Sequence, residues 1–559
     1  MVLRFVVFNR AAGSFALGRN VQLVAGHMAD LQQTGCFGAE RQLPAAVPCL
    51  IVTGERSRDV EESPTGYRVK PSALQDERKT LITLDRVWSE SGHLLTPELK
   101  DLCLSFALFK CLRRRFARHH LAEAGSIWAF RFVEDWMLGQ EGDHERIFRV
   151  IADELSFASD FYYSSLPVAS LGTLPAALHF LLSLLISGLI IRLTLVLIPR
   201  AIVPFPIPMS LITIIAAVNV IAEVLEMRAG LRSNWTKISM IGHYIIRCPP
   251  HDRDRRMLSW WLRSKPPKLW KDEIRQNNLL KPILPREQSW LRLCKHFFIP
   301  RRNRHEPVIK VPLQVKAKII ASLRSSGGHL NDGTAMVRHW CHCQEYSHDI
   351  TWACYGGEVT TTTDFLLVWH IATSLFEIRC SSQRASASSS TRTDSMIVAQ
   401  SLSCYCTYLV AEAPELLPDD SAWTKRRYKA VKKGIAAEAS KSAPEDYSGV
   451  YGHLVHSFSA ESCHEVLRKG SRLGKQLVEE AERPREGETG PACGGEDAVW
   501  ELLAEFWSEM VLYLAPSDNV KRHIEVLQLQ RGGELVTLLW ALLLHAGIAS
   551  RPAPHVPEP

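Results

Sequence analysis

The sequence predicts a mainly α-helical membrane protein, with a transmembrane helical hairpin and helical cytosolic regions. Three observations carry that reading: two long apolar runs separated by a short link, cations gathered on one side of them, and helical periodicity through most of the remainder. At 559 residues the chain exceeds what one hydrophobic core usually organises. Its 46% hydrophobic and 22% charged composition excludes wholesale disorder and a transporter made almost entirely of apolar spans. The fourteen cysteines lack the regular spacing of a secreted disulfide scaffold and read as reduced thiols.

From the N-terminus, the run Val2 to Phe8 is broken by Arg4 and is too short for a signal-peptide core, so no cleaved signal is expected. Leu17, Val21, Val24, Met28 and Leu31 fall on one helical face, predicting a packed amphipathic helix over Phe15 to Leu31. Residues 40–80 read as a loop with one short strand around Cys49 to Val52. A helix-rich block follows from Leu81 to Phe161. Within it Leu102, Phe106, Phe109 and Phe116 form a stripe, and Lys110, Arg114, Arg115 and Arg118 crowd the other faces. That pattern predicts a helix packed on its own domain with a solvated basic face; the functional alternative is docking on anionic lipid head groups.

Leu174 to Ile198 is almost wholly apolar and longer than the roughly 20 residues that cross a hydrocarbon core. After Pro199 and Arg200, a second apolar stretch runs from Ile202 to Leu225, so the two spans must turn back as a hairpin. Arg228, Arg232, Lys237 and Arg247 follow the second span while the link carries only Arg200, which places both long flanks in the cytosol. His179, Arg192 and Glu223 are the ionisable groups to weigh as a conduction path. His179 and Glu223 lie toward the cytosolic ends, and Arg192 can snorkel to the far interface. A second basic segment, Arg247 to Lys268, suits lipid head groups better than nucleic acid at this position.

Beyond the hairpin, Ser381 to Ser395 reads as a low-complexity linker, and Glu479 to Asp497 as a polar one. Trp500, Leu503, Trp507, Val511 and Leu514 recur at helical spacing. Leu535 to Ile548 is a final apolar helix whose length suits burial rather than a span. The resulting division is an N-terminal helical region (1–165), the hairpin (166–226), a mixed region (227–380), a linker-rich helical region (381–499) and a C-terminal helical domain (500–559).

The densest cluster of metal-ligand types is His339, Cys341, Cys343 and His348, which lacks the C-x-x-C turn that lets two thiolates converge on one ion. Cys404 and Cys406, one residue apart, cannot easily close an unstrained disulfide and read as packing. His370, Thr373 and Glu377 share a helical face, as acid–base groups can, although a satisfied buried histidine is the commoner case. No G-x-S-x-G, H-E-x-x-H, dinucleotide fingerprint or phosphate-cradling loop occurs, and Gly470, Gly474 and Lys475 have the wrong spacing for the last. No enzyme class and no cofactor is therefore expected.

The strings "SFALGRNVQLVAGHM", "KDLCLSFALFKCLRRRFARHHLAEAG", "IFRVIADELSFASDFYYSSLP", "SNWTKISMIGHYI", "LLVWHIATSLFEI" and "RGGELVTLLWALLLHAGI" together resemble a plant membrane family. That family carries the domains of unknown function numbered four-two-two-zero and five-nine-four. The resemblance implies a larger domain over about Phe15 to Cys380, a smaller one over about Trp500 to Ile548, and several membrane spans. It also implies that the N-terminal region is shortened relative to other members, and it supplies no activity or site residues. The leading functional expectation is a membrane-anchored interaction or scaffold protein. A transporter or channel subunit built on His179, Arg192 and Glu223 is one alternative. A metal-dependent membrane enzyme built on His339 to His348 is another.

Overall fold

The computed structural model describes residues 13–33, 47–63, 66–75, 81–89, 95–119, 121–139, 144–164, 232–242, 261–262, 270–283, 307–343, 349–386, 392–439, 447–483, 494–529 and 534–552, with scattered helical positions between 181 and 230. Helices dominate, and the described strands pair only in two-stranded antiparallel ribbons. The chain divides into two compact units: Met1–Glu123 with Arg149–Leu269 and Leu527–Gly532, and Ala124–Phe148 with Trp270–Val526 and Gly533–Pro559.

In the first unit, helix α1 (Asn20–Gln33) buries the predicted face Val21, Val24, Met28 and Leu31. It starts later than the periodicity suggests because the Asn20 amide turns back to donate to the Phe15 carbonyl at 2.9 Å, holding Phe15 to Arg19 out of the helix. The short strand expected around Cys49 to Val52 is β1 (Ile51–Thr53), whereas residues expected to form a loop supply the hairpin of β2 (Val60–Ser63) and β3 (Gly66–Val69). Charged Glu61, Glu62 and Arg68 hid the alternation of this hairpin, whose Val60 and Val69 join Phe15, Leu23, Ile51 and Leu81 in a core cluster. Strand β4 (Ile82–Thr83) pairs with β1. Gly26 lets β3 pass close over α1, since a Cβ there would strike the Tyr67 carbonyl.

Helix α2 (Pro97–Phe116) is buried on nearly all sides from Leu99 to Arg114. Its Phe106 and Phe109 pack with Phe157 of α3 (His144–Tyr163) and Trp235 of α4 (Asn234–Met240), ring centroids 4.9–5.5 Å apart across the edge-to-face pairs. The solvated basic face expected here is corrected. Lys110 forms a buried ion pair with Glu55 and donates to the Val52 carbonyl at 2.7 Å. Arg113 donates to the Leu17 carbonyl at 2.8 Å and lies 4.0 Å from the Phe161 ring centroid. Arg114 grips Glu123 with both terminal nitrogens. Lys110 and Arg114, expected on the solvated face, are thus internal tethers beside Arg113, and of that expected face only Arg118 is exposed, Arg115 being half-buried.

Most of the expected hairpin, 166–226, lies outside the described residues, including His179 and Glu223. Among the described residues no helix is long and apolar enough to cross a membrane. The positions that are described there are helical, and their apolar side chains are exposed, Leu185 at 70%, Leu189 at 67%, Ile214 at 59% and Ile221 at 59%. Of the basic segment Arg247 to Lys268, only the pair at 261–262 is among the described residues.

The second unit is built on α5 (Leu313–Ser325), α6 (Thr334–Cys343), α7 (Thr362–Ser386), α8 (Asp394–Glu412), α9 (Ser421–Ala439), α10 (Tyr447–Phe458), α11 (Glu465–Ala481), α12 (Gly494–Leu514), α13 (Val520–Leu529) and α14 (Leu535–His545). Helix α7 is the axis, flanked by α11 and α8, with α12 against α8 and α5. Trp369 stacks on Phe506 at 3.9 Å, Phe376 meets Trp500 at 4.9 Å, and the Trp507 indole donates to the Thr373 hydroxyl at 3.1 Å. The tryptophan-rich periodicity of the last region is therefore a buried aromatic seam, and every residue of α14 is buried as its length suggested. The linker expected over Ser381 to Ser395 is corrected at both ends. Helix α7 continues to Ser386 and α8 begins at Asp394, because the Thr393 hydroxyl caps α8 and alanine and serine extend α7 with little penalty.

Candidate functional site

A polar cleft of about 440 Å³ opens in the second unit between the turn after α8, the turn after α12 and the segment following α14. Its charged lining is Glu415, Asp419, Asp518 and Arg551. Each owes its position to the local fold. Pro414 ends α8 and starts a single 3-10 turn that carries Glu415, which accepts from Lys425 Nζ at 2.8 Å and pairs with Arg522 at 3.5 Å. Asp419 holds the start of α7, its Oδ2 accepting from both the backbone N–H and the hydroxyl of Thr363 at 2.6 Å. Arg551 closes the C-terminus of α12 by donating to the Tyr513 and Leu514 carbonyls at 3.1 and 2.8 Å, where unpaired helix carbonyls and the macrodipole both favour a cation. Burial lowers the pKa of this guanidinium, opposed by the nearby Tyr513, Tyr355 and acidic groups.

One turn before Tyr513, the half-buried Glu509 leaves its Oε2 without a hydrogen-bond partner. Burial first, then Glu505 and Asp332, pushes its carboxyl up to about 7. The cleft lining itself, with Ser421, Ser517 and Ser550 beside the four charged side chains, offers hydrogen bonds and charge to a small polar group.

The residues singled out by sequence lie elsewhere. His370 is fully buried, and its Nε2 accepts from the Leu279 N–H at 3.2 Å, which puts the ring proton on Nδ1, 2.8 Å from the Ser403 hydroxyl. The imidazole thus donates toward the serine, the reverse of what a general base requires. Burial pulls its pKa down to about 3, so it stays neutral. Thr373 is bonded to Trp369 and Trp507, not to His370. Of the cysteine and histidine cluster, His339 and Cys341 sit on α6 roughly 200° apart around the helix, too divergent to share an ion. The Cys343 side chain and His348 lie outside the described residues, and among those described no group of three metal-ligand types converges. Arg192 is helical and exposed.

Sequence reading missed the cleft because its lining comes from three separate stretches whose meeting is a tertiary fact. It missed a second buried histidine as well: His523 stacks on Trp540 at 4.4 Å and 8°, with Nδ1 3.0 Å from the Thr537 hydroxyl.

No curated protein and no solved structure matches the chain. Two family models do. The model described as a protein of unknown function, DUF594, covers residues 494–548, which spans α12 to just past α14. The model described as a domain of unknown function, DUF4220, covers residues 4–283, ending short of the Cys380 that the resemblance implied. With half of its length inside that second model and its C-terminal helices inside the first, the chain belongs to the DUF4220 family and carries a DUF594 region.

Proposed function

We propose that this protein is a membrane-anchored interaction or scaffold protein, held in the bilayer by a helical hairpin over residues 174–223 with both long flanks in the cytosol. The observation that carries the anchor is the exposure of leucine, isoleucine and valine at the described helical positions from Leu181 to Leu225. Exposed apolar side chains of this kind are costly in water and are favourable against lipid tails. Support for the interaction role is of a different sort: the second unit is a densely packed helical body whose polar cleft presents charged and hydrogen-bonding groups, a surface suited to recognition. His370 and Ser403, within hydrogen-bond reach of each other, are sealed in the core with the ring proton directed at the serine.

The test is alkaline carbonate extraction of membranes carrying the full chain and a version lacking residues 174–223, followed by proximity labelling from a C-terminal fusion. The full chain should remain in the pellet and label a reproducible set of neighbours, while the deletion should be released. Release of the full chain would remove the anchor from the proposal. An irreproducible set of neighbours would remove the scaffold role.

A further inference from the structure

Helix α9 carries its charge in an uncommon way. Thr424, Tyr428, Val431 and Ile435 are buried at helical spacing. On the opposite side Lys425, Arg426, Lys429, Lys432 and Lys433 are all exposed, covering an arc of roughly 120°. Lys425 is drawn to Glu415, and Lys432 lies 5.7 Å from the Tyr428 ring centroid. Arg426, Lys429 and Lys433 form no ion pair among the described residues. The acid within the helix, Glu438, is buried. Like charges four residues apart, as at Lys425 and Lys429 or Lys429 and Lys433, oppose helix formation. Neighbouring α11 pairs three of its four cations, Lys469 with Glu465, Lys475 with Glu479 and Arg472 with Glu358, leaving Arg468 without an ion pair among the described residues. The bare face of α9 is therefore a local choice and not the habit of the whole unit.

We propose that this face docks on the anionic phospholipid head groups of a membrane. The surface is lysine-dominated, and ammonium groups act as point charges without the planar fork that fixes one partner geometry. Exposed Ala422, Ala430 and Ala436 keep the face low in relief. It presents no exposed aromatic ring for base stacking, which disfavours single-stranded nucleic acid. A layer of lipid phosphates asks for charge density instead of register, and each cation near such a surface strengthens binding by roughly fivefold. The proposal rests on the anchored reading for its geometry: a tether in the bilayer holds the cytosolic unit at high effective concentration beside head groups, so weak contacts suffice.

The experiment is lysine acetylation footprinting of the full chain in nanodiscs of phosphatidylcholine alone or with one-third phosphatidylserine. Lys429, Lys432 and Lys433 should react about fivefold more slowly in the anionic discs. Lys521, whose side chain is 88% exposed, should react equally in both. High salt should abolish the difference. Equal rates at α9 in the two lipids would overturn the proposal, as would protection by duplex RNA in neutral discs with none from the anionic lipid. If the chain fails to enter discs, the anchor has failed separately, and the same protein is then mixed with vesicles of the two compositions. Binding to anionic vesicles that drops roughly a hundredfold or more in R426Q/K429Q/K432Q/K433Q would support the α9 face by itself. No binding to either vesicle would refute it.

Discussion

At the scale of single residues, buried ionisable groups are the main departures from ordinary chemistry. Glu509 is held neutral to about pH 7 inside its helix contact, whereas in the unfolded chain it ionises near its usual 4.5. A carboxyl whose folded pKa is raised favours the folded state fully below the unfolded value and loses that contribution as pH rises through the folded one. Glu509→Gln, which stays neutral at every pH, should therefore raise the melting temperature at pH 8 and leave it nearly unchanged at pH 5, as read by scanning fluorimetry. The internal cations of α2 illustrate the same theme: burial lowers the Lys110 ammonium, opposed by Glu55. Burial pulls Arg113 down to about 10, which still leaves it charged at neutral pH. Its guanidinium is accommodated by a carbonyl and an aromatic face.

Helices acquire their positions from very small side chains as much as from large ones. Gly470 and Gly474, one turn apart on α11, both lie directly against α7. A Cβ at Gly470 would lie 2.7 Å from Ile371 Cβ, and one at Gly474 would lie 3.1 Å from Leu375 Cβ. Gly470→Ala should thus destabilise the protein by about 1–2 kcal/mol, the overpacking strain outweighing alanine's better helix propensity. Gly452 on α10 supplies the opposite sign. A Cβ there meets nothing within 4 Å, so Gly452→Ala should stabilise by roughly 0.5–1 kcal/mol. Chemical denaturation of the two variants beside the parent measures both. The pattern Lys469 to Lys475 had drawn notice as a failed phosphate loop; its glycines serve helix contact. Periodicity located α1, α2, α12 and α14 well, because each buries a regular stripe. It overlooked the β2 and β3 hairpin, whose four-residue strands carry charge on the exposed face and too few apolar residues to register as alternation.

Across the whole molecule, acid should be the condition that loosens the second unit. His370 and His523 are both pulled down to about 3 by burial and stay neutral in the folded state. Unfolded histidine takes up a proton near 6.5, so a depressed folded value gives stability that is present above pH 6.5 and lost as pH falls toward 3. The two histidines by themselves contribute a slope approaching two protons, about 2.7 kcal/mol per pH unit at its steepest. Glu509, which takes up its proton in the folded state between about pH 7 and 4.5, offsets up to one of those protons across that window. His523→Phe keeps the stack on Trp540, removes one titrating ring and should lower the slope by up to one proton, about 1.4 kcal/mol per pH unit, as measured by denaturant titrations from pH 7.5 to pH 4.5.

The sequence by itself determined the helical class, the family, the apolar runs between Leu174 and Leu225 and the buried character of the last helix, because each is written in local composition or in a period of 3.6 residues. Only the tertiary structure decided what the charged and polar residues do. Lys110 and Arg113 find a carboxylate and carbonyls distant in the chain, Arg114 finds Glu123 beyond the end of its helix, and all three become core tethers, while Arg426, Lys429 and Lys433 find no ion pair among the described residues and stay bare. His370 is defined by Leu279 and Ser403, and the cleft by three segments that share no sequence pattern. Apolar burial is non-directional and so leaves a periodic trace in sequence. Hydrogen bonds and ion pairs depend on partners at a fixed distance, and that distance exists only once the chain has folded.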